Sequence, residues 1–114
     1  MTDDYNGWAN RETWAVALHI DNDESLLEIA LDYAREEIEG HREALQIDAD
    51  FPAINSYYLG QTLQGWIEND LLTLENIAGN QPLWLMLTDI GSLYRVDWRE
   101  LADHYLATAQ EVSI

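Results

Sequence analysis

The segment from Glu24 to about Gln46 constrains the fold most, because it combines a long helical repeat with two chemically opposite faces. Apolar residues recur every three or four positions along it, and acidic residues occupy positions between them. The apolar set is Leu26, Leu27, Ala30, Leu31, Tyr33, Ala34 and Ile38. This period predicts an amphipathic α-helix whose apolar face must be covered by other helices. Gly40 lies within the pattern, and either ends the helix or weakens it by about 1 kcal/mol.

Helix-start signals mark the chain on either side of this segment. Asn6-Gly7 predicts a turn and Asn10 an N-cap, so we expect a first helix from about Arg11 to Ile20. Asp97, with Glu100 three residues later, is a capping-box-like pair that predicts the start of a last helix. The apolar face expected for that helix consists of Trp98, Leu101, Ala102, Tyr105, Leu106 and Ala109.

The middle of the chain is less regular but still helical in pattern. Pro52 predicts the first turn of a third helix that runs to about Asn69. Its expected buried stripe is Ile54, Tyr57, Tyr58, Leu63, Trp66 and Ile67. The segment Leu83–Ile90 is ambiguous between helix and strand, and we favour helix. We therefore expect an all-α protein, a compact single-domain bundle of four to six helices over residues 1–114.

Composition narrows the classes of partner. Twenty-two acidic residues face five arginines and no lysine, which gives a formal net charge of −17. Such a chain repels a phosphate backbone, so we expect no direct nucleic-acid binding. It has no cysteine and no apolar run long enough to span a membrane, and we expect a soluble cytoplasmic protein. The acidity suits a high-salt cell interior, a basic protein partner, or mimicry of nucleic acid, and the absence of lysine also fits a GC-rich genome.

The acidic face of the long helix is the first candidate site. Its six members are Glu24, Glu28, Asp32, Glu36, Glu39 and Glu43. Carboxylates four positions apart rise by about 6 Å per repeat, a spacing close to that of successive phosphates along a nucleic-acid strand. Like charges at this spacing cost the helix about 0.2–0.5 kcal/mol per pair. The row is therefore either a solvated face opposite the leucines, or a set of phosphate mimics offered to the basic groove of a nuclease, a repressor or a defence protein.

An alternative site lies in the tryptophan-containing N-terminal segment. Trp14 precedes Leu18 by four positions and shares its face, and we expect Trp8 and Trp14 to hold the N-terminal turn against the bundle. Tryptophan and arginine are favoured in binding hot spots, so the same segment is also a possible partner surface. That surface would comprise Asn6, Trp8, Asn10, Arg11 and Glu12. Arg11 has a competing prediction, an ion pair with an acid of its own chain.

The sequence contains no convincing constellation for catalysis or metal binding. None of its three histidines has a second histidine three or four positions away, so no helix presents a zinc pair. The three are His19, His41 and His104. Asp21 and Asp23 begin like a calcium loop, but Leu26 replaces the glycine that such a loop needs. We assign no catalytic residue, no metal site and no cofactor, and a metal-assisted enzyme is the most remote hypothesis.

The N-terminal segment also resembles a known family signature. Asn6-Gly7-Trp8, Asn10, Glu12-Thr13-Trp14, Val16 and Leu18 follow the pattern NGW-x-N-x-E-T-W-x-V-x-L. This pattern is similar to that of a family of small uncharacterised proteins found in phages, on plasmids and in bacterial and archaeal genomes. Val96–Ala102 resembles the start of that family's C-terminal helix, and the middle of the chain carries no such resemblance. The family has no established activity, and its phage and plasmid members imply an accessory or counter-defence role.

Together these features predict a non-enzymatic acidic binding protein. We expect an inhibitor or adaptor that acts on a basic protein, such as a nucleic-acid-binding or defence protein, by mimicking nucleic acid. The alternative is an accessory or structural domain whose acidity reflects a high-salt or GC-rich organism. The sequence leaves the identity of the partner and the oligomeric state open.

Overall fold

The computed structural model describes residues 6–112, and this range forms six α-helices. They are α1 (Arg11–Asp21), α2 (Glu24–Ile47), α3 (Ser56–Gly65), α4 (Leu74–Ile77), α5 (Gln81–Ile90) and α6 (Trp98–Val112). A π-helix, Trp66–Leu71, continues α3, and a single 3-10 turn, Leu93–Arg95, precedes α6. Residues 6–112 contain no β-strand, so the predicted all-α bundle is confirmed.

Side-chain caps explain where the helices begin. Asn10 accepts a hydrogen bond from the Thr13 N–H at 2.9 Å, which confirms the predicted start of α1. Asp23 caps α2 by accepting from two backbone N–H groups. The caps of α3, α4 and α5 are Asn55, Thr73 and Asn80. Each cap satisfies backbone N–H groups that have no partner within the first turn of a helix.

The long helix α2 matches its predicted extent. Its 24 residues run through Gly40, which is exposed and remains helical, so the glycine does not end the helix. The predicted apolar face is confirmed: Ala30, Leu31 and Ala34 are buried. The rest of that face packs partly buried against the core through Leu26, Leu27, Tyr33 and Ile38.

Helix α6 lies at the centre of the packing, in contact with α1, α2 and α3. Its buried residues are the predicted Leu101, Ala102, Tyr105, Leu106 and Ala109. The crossing with α3 is close, because a Cβ added to Gly60 would lie 3.2 Å from both the carbonyl carbon and the carbonyl oxygen of Trp98. Helix α5 packs against α1 and α4, so the segment Leu83–Ile90 is helix, as favoured.

The third helix differs from its prediction. It begins after Asn55 rather than at Pro52, because Asn55 supplies the cap and residues 48–55 form an irregular connection from α2. Its buried stripe has a regular three-four spacing and consists of Ser56, Leu59, Gly60 and Leu63. Tyr57 and Tyr58 fall outside this stripe and are exposed, so their predicted burial is wrong. The hydroxyl of Tyr57 accepts a hydrogen bond from Gln61 Nε2 at 2.9 Å, so this exposed ring has a polar partner on the helix surface.

Candidate functional site

The acidic face of α2 is exposed along the whole helix. Every one of its six acids is exposed: Glu24, Glu28, Asp32, Glu36, Glu39 and Glu43. At about 100° per residue they fall within about 120° of the helix circumference, on a helix about 36 Å long. The apolar residues of α2 that meet the core occupy the opposite side of the helix. The structure therefore brings the six residues onto one continuous face, and partner binding by that face stays a prediction.

Two arginines moderate the negative charge of this face. Arg35 Nη1 lies 2.9 Å from Glu28 Oε2 and 2.8 Å from Asp32 Oδ1, and Arg42 Nη1 lies 3.0 Å from Glu39 Oε1. The hydrogen bond that Arg35 donates to Glu28 is the main cause that raises the pKa of Arg35. All of these groups are solvent-accessible, so their contribution to stability is small. The acids of the face that form no ion pair within residues 6–112 are Glu24, Glu36 and Glu43.

Asn10, Arg11 and Glu12 of the alternative N-terminal surface have partners in their own chain. Asn10 Nδ2 donates to the Arg95 carbonyl at 2.7 Å, and Glu12 Oε2 lies 3.5 Å from Arg95 Nε. Arg11 Nη2 lies 3.0 Å from Asp89 Oδ1, which confirms the predicted in-chain ion pair. These contacts use the polar groups that a partner would otherwise bind, and the role of this surface in binding stays a prediction.

The turn that precedes α1 is confirmed by its backbone angles. Asn6 has φ of 51° and Gly7 has φ of 91°, both in the left-handed region that these residue types tolerate. Trp8 is half-buried, and its ring stands edge-on to His104 with centroids 5.1 Å apart. Trp14 is also half-buried and packs against the core. Trp8 therefore connects the N-terminal turn to α6, and Trp14 connects α1 to the core.

Thr13 links the first and last helices. Its buried hydroxyl donates to Asn10 Oδ1 at 2.6 Å and accepts from the Asp97 N–H at 2.8 Å. Nearby, Glu100 Oε1 accepts from the Ala9 N–H at 2.9 Å, while Asp97 Oδ1 accepts from the Glu100 N–H at 3.1 Å. The predicted start of α6 is thus confirmed, but only half of the capping box forms. The other half is replaced by contacts with the N-terminal segment.

The three histidines all have partners in the chain. His19 contacts Asp89 at 2.9 Å, His41 the Pro52 carbonyl at 2.8 Å, and His104 contacts Asp21 at 3.0 Å. The contact with His104 pairs Asp21 with α6 rather than with the other residues of the weak calcium-like pattern. Within residues 6–112, no group of three or more His, Asp or Glu side chains is arranged to hold a metal.

Tyr105 is a titratable residue whose side chain is fully buried. Its hydroxyl donates to Asp21 Oδ1 at 3.0 Å. Burial, followed by the negative charge of Asp21 and this hydrogen bond, raises the pKa of Tyr105 well above its ordinary value. The phenol therefore stays protonated at neutral pH and acts as a structural donor.

A pocket of about 420 Å³ lies between the second half of α2 and the connection formed by residues 48–55. Its wall includes Glu37, His41, Phe51 and Tyr58. The apolar period does not predict this pocket, because it places Tyr58 in the core. The available signal in the sequence is Phe51, an aromatic residue that follows Asp48 and Asp50. Such a residue next to acids usually packs against the chain or binds a partner.

Comparison with known proteins adds a partial family match. The model of a family of unknown function, DUF7249, matches residues 1–48. This stretch contains α1, α2 and the acidic face, and it supports similarity to an uncharacterised family over less than half of the chain. No curated protein and no solved structure matches the chain. Among the helices that the structure describes, none has both the length and the apolar character to cross a bilayer.

Proposed function

We propose that this protein is a non-enzymatic binding protein that docks the acidic face of α2 onto a basic surface of another protein. The observation that supports this most directly is the alignment of six exposed carboxylates on one side of a 24-residue helix. A surface with this concentration of one charge attracts the opposite charge over distance and speeds association. Arg35 and Arg42 lie at one edge of the face and leave the rest of it negative.

In this proposal the partner normally binds nucleic acid, and the carboxylates take the places of phosphates. A nuclease, a repressor or a defence protein has a basic groove of the required kind. The regular rise of the helix supports this, because it spaces the charges evenly along about 36 Å. The resemblance to phage and plasmid proteins extends the proposal to an inhibitor or adaptor that acts in the cytoplasm against host defence.

The second candidate function is an accessory or structural domain whose acidity reflects its environment. The bridging of Glu28 and Asp32 by Arg35 favours it, because local compensation is what a merely solvated acidic face needs. The in-chain partners of Asn10 and Arg11 favour it too, since they give the N-terminal signature a structural role. This candidate predicts no competition with nucleic acid.

The test compares two variants that carry the same total charge. One replaces Glu24, Glu36 and Glu43 by lysine, which leaves both arginine ion pairs of α2 in place. The control replaces the exposed residues Glu75, Asp103 and Glu111 by lysine. Each replacement adds two units of charge, so both variants change the net charge from −17 to −11.

A basic protein captured from host lysate with the wild-type chain is titrated with all three proteins at about 0.05 M and about 0.3 M salt. We expect the α2 variant to lose at least about tenfold in affinity and the control to stay within about threefold. Nucleic acid should compete for the same partner. Equal loss of affinity in the two variants would mean that only the net charge matters. Unchanged affinity of the α2 variant would rule out the acidic face as the binding surface.

A further inference from the structure

The pocket between α2 and residues 48–55 contains an acid that is not part of the acidic face. Glu37 lines the pocket and is half-buried. Its carboxylate forms no ion pair or side-chain hydrogen bond with the described residues, unlike Glu28, Asp32 and Glu39 on the same helix. A carboxylate that is partly removed from water and has no cation beside it is favourably placed to accept one.

Two aromatic rings line the same pocket. Phe51 is 44% exposed and Tyr58 is 61% exposed, although most large apolar side chains of the α2–α3–α6 core are covered. An exposed aromatic ring attracts a cation through the negative face of its π-system. Two such rings beside an unpaired carboxylate therefore favour a positively charged group that also has a flat or apolar surface.

His41 orders the wall of the pocket. Its Nε2 lies 2.8 Å from the Pro52 carbonyl, and its ring stands edge-on to Phe51 with centroids 5.9 Å apart. A carbonyl oxygen only accepts hydrogen bonds, so Nε2 carries a proton and donates it to this contact. The contact holds the connection formed by residues 48–55 against α2.

The pocket lies around α2 from the acidic face. At about 100° per residue, the side chains of Glu37 and His41 point about 100° away from the nearest acid of that face. A basic surface bound along the carboxylate row must therefore extend around the helix for one of its side chains to reach the pocket.

We propose that the pocket accepts one arginine side chain of the basic partner, an inference that rests on the proposed function. A guanidinium group is planar, stacks on aromatic rings and bonds a carboxylate through two N–H groups. It is also less strongly hydrated than the ammonium group of lysine, so it enters a half-buried site more readily. The acidic face then supplies attraction at a distance, and the pocket supplies the specific contact.

The probe is N-acetyl-arginine amide, titrated into the full ¹⁵N-labelled chain and followed by amide chemical shifts. We expect the largest shifts at residues 37–44 and 51–58. N-acetyl-lysine amide should bind about fivefold more weakly, the factor expected for loss of one stacking or bidentate contact. N-acetyl-leucine amide should produce no saturable shift. Equal binding of the leucine amide would show an apolar pocket, and shifts confined to residues 24–36 would place the arginine on the acidic face; either result overturns the proposal.

Two matched pairs of variants sharpen the test. Glu37→Gln and Glu75→Gln remove the same charge, but only Glu37 lines the pocket, and Glu75 is an exposed residue outside the acidic face. Tyr58→Ala and Tyr94→Ala each remove an exposed ring, and only Tyr58 lines the pocket. Glu37→Gln and Tyr58→Ala should each lower the affinity for the arginine probe about fivefold, and their control variants should lower it less than about twofold. Equal effects within either pair would overturn the proposal.

The acidic-face variant separates this inference from the function on which it rests. If the chain with Glu24, Glu36 and Glu43 replaced by lysine binds the captured basic protein normally, the acidic face is excluded while the pocket shifts still identify an arginine site. If that variant loses the basic protein but the probe never shifts residues 51–58, the acidic face stands and the pocket is excluded.

Discussion

The hydroxyl of Thr13 accepts a hydrogen bond from the backbone N–H of Asp97, 84 positions further along the chain. The same hydroxyl donates to Asn10, the residue that caps α1. One buried side chain thus forms hydrogen bonds at the N-terminal ends of both α1 and α6. The threonine of the N-terminal signature therefore has a structural explanation that does not require a partner.

Replacement of Thr13 by valine tests this link. Valine keeps the shape but leaves the Asp97 N–H without its acceptor, so we expect a loss of about 1–3 kcal/mol in the free energy of unfolding. Thr62→Val is the control, because Thr62 is exposed and its hydroxyl bonds only the Tyr58 carbonyl within its own helix. It should change stability by less than about 0.5 kcal/mol. Denaturant titration measures the free energy of unfolding of both variants. Equal values would show that the hydroxyl of Thr13 does not stabilise the contact between the first and last helices.

The tryptophans should differ in their contribution to stability. Trp14 packs against the core, so Trp14→Ala should cost about 3 kcal/mol, the lower end of the range for a buried aromatic. Trp8→Ala should cost about 1 kcal/mol, mainly through its edge contact with His104. Trp84 is 52% exposed and Trp84→Ala should cost least. Thermal melting ranks the three, and a Trp14→Ala variant that melts like the wild type would identify Trp14 as a surface residue.

Salt should stabilise the folded chain. A net charge of −17 makes the compact state repel itself, and added salt screens this repulsion over a Debye length of about 10 Å at 0.1 M. The melting temperature should therefore rise between low salt and about 1 M. A further rise above about 1 M would support adaptation to a high-salt interior, because simple screening is nearly complete by then. A flat profile would show that self-repulsion contributes little.

Alkaline pH should destabilise the protein through Tyr105. Its pKa is raised in the folded state, so its contribution to stability is complete below the unfolded value of about 10 and is lost as the pH rises towards the folded value. Above about pH 10 this residue should lower the free energy of unfolding by up to about 1.4 kcal/mol per pH unit. Tyr105→Phe should remove that slope at a cost of about 1 kcal/mol at neutral pH. Tyr94→Phe is the control, since Tyr94 is 94% exposed, and an unchanged slope in Tyr105→Phe would assign the effect elsewhere.

Local signals in the sequence predicted most of the helices. The cap at Asn10 and the amphipathic period of α2 depend on neighbours within four positions, and both are confirmed. The start of α3 was misplaced because Pro52 also fits a first turn, whereas the real cap is Asn55. A proline and an asparagine three positions apart both signal a helix start, and the path of the connection from α2 decides which of them begins the helix.

Of the candidate sites, the acid row was predictable from the sequence, because a helix places residues four apart on one side. The N-terminal contacts and the pocket depend on residues far apart in the chain, which no local pattern predicts. The contact of Ala9 with Glu100 spans 91 positions, and nothing near either residue specifies it. The pocket wall combines α2 with residues 51–58, and it forms only because Tyr58 faces away from the core. Whether a tyrosine is exposed depends on the tertiary packing, which the apolar period of its helix does not determine.

The link between Thr13 and Asp97 also has a consequence for synthesis of the chain on the ribosome. Residues are added from the N-terminus at about 5–20 per second, so α1 and α2 emerge well before the acceptor and donor groups at Asp97 and Glu100 exist. Until then Thr13 and Ala9 have no long-range partners, and the apolar side of α2 lacks α6. We therefore expect the segment that matches the family model to reach its full stability only after α6 has been synthesised and has packed against α1 and α2.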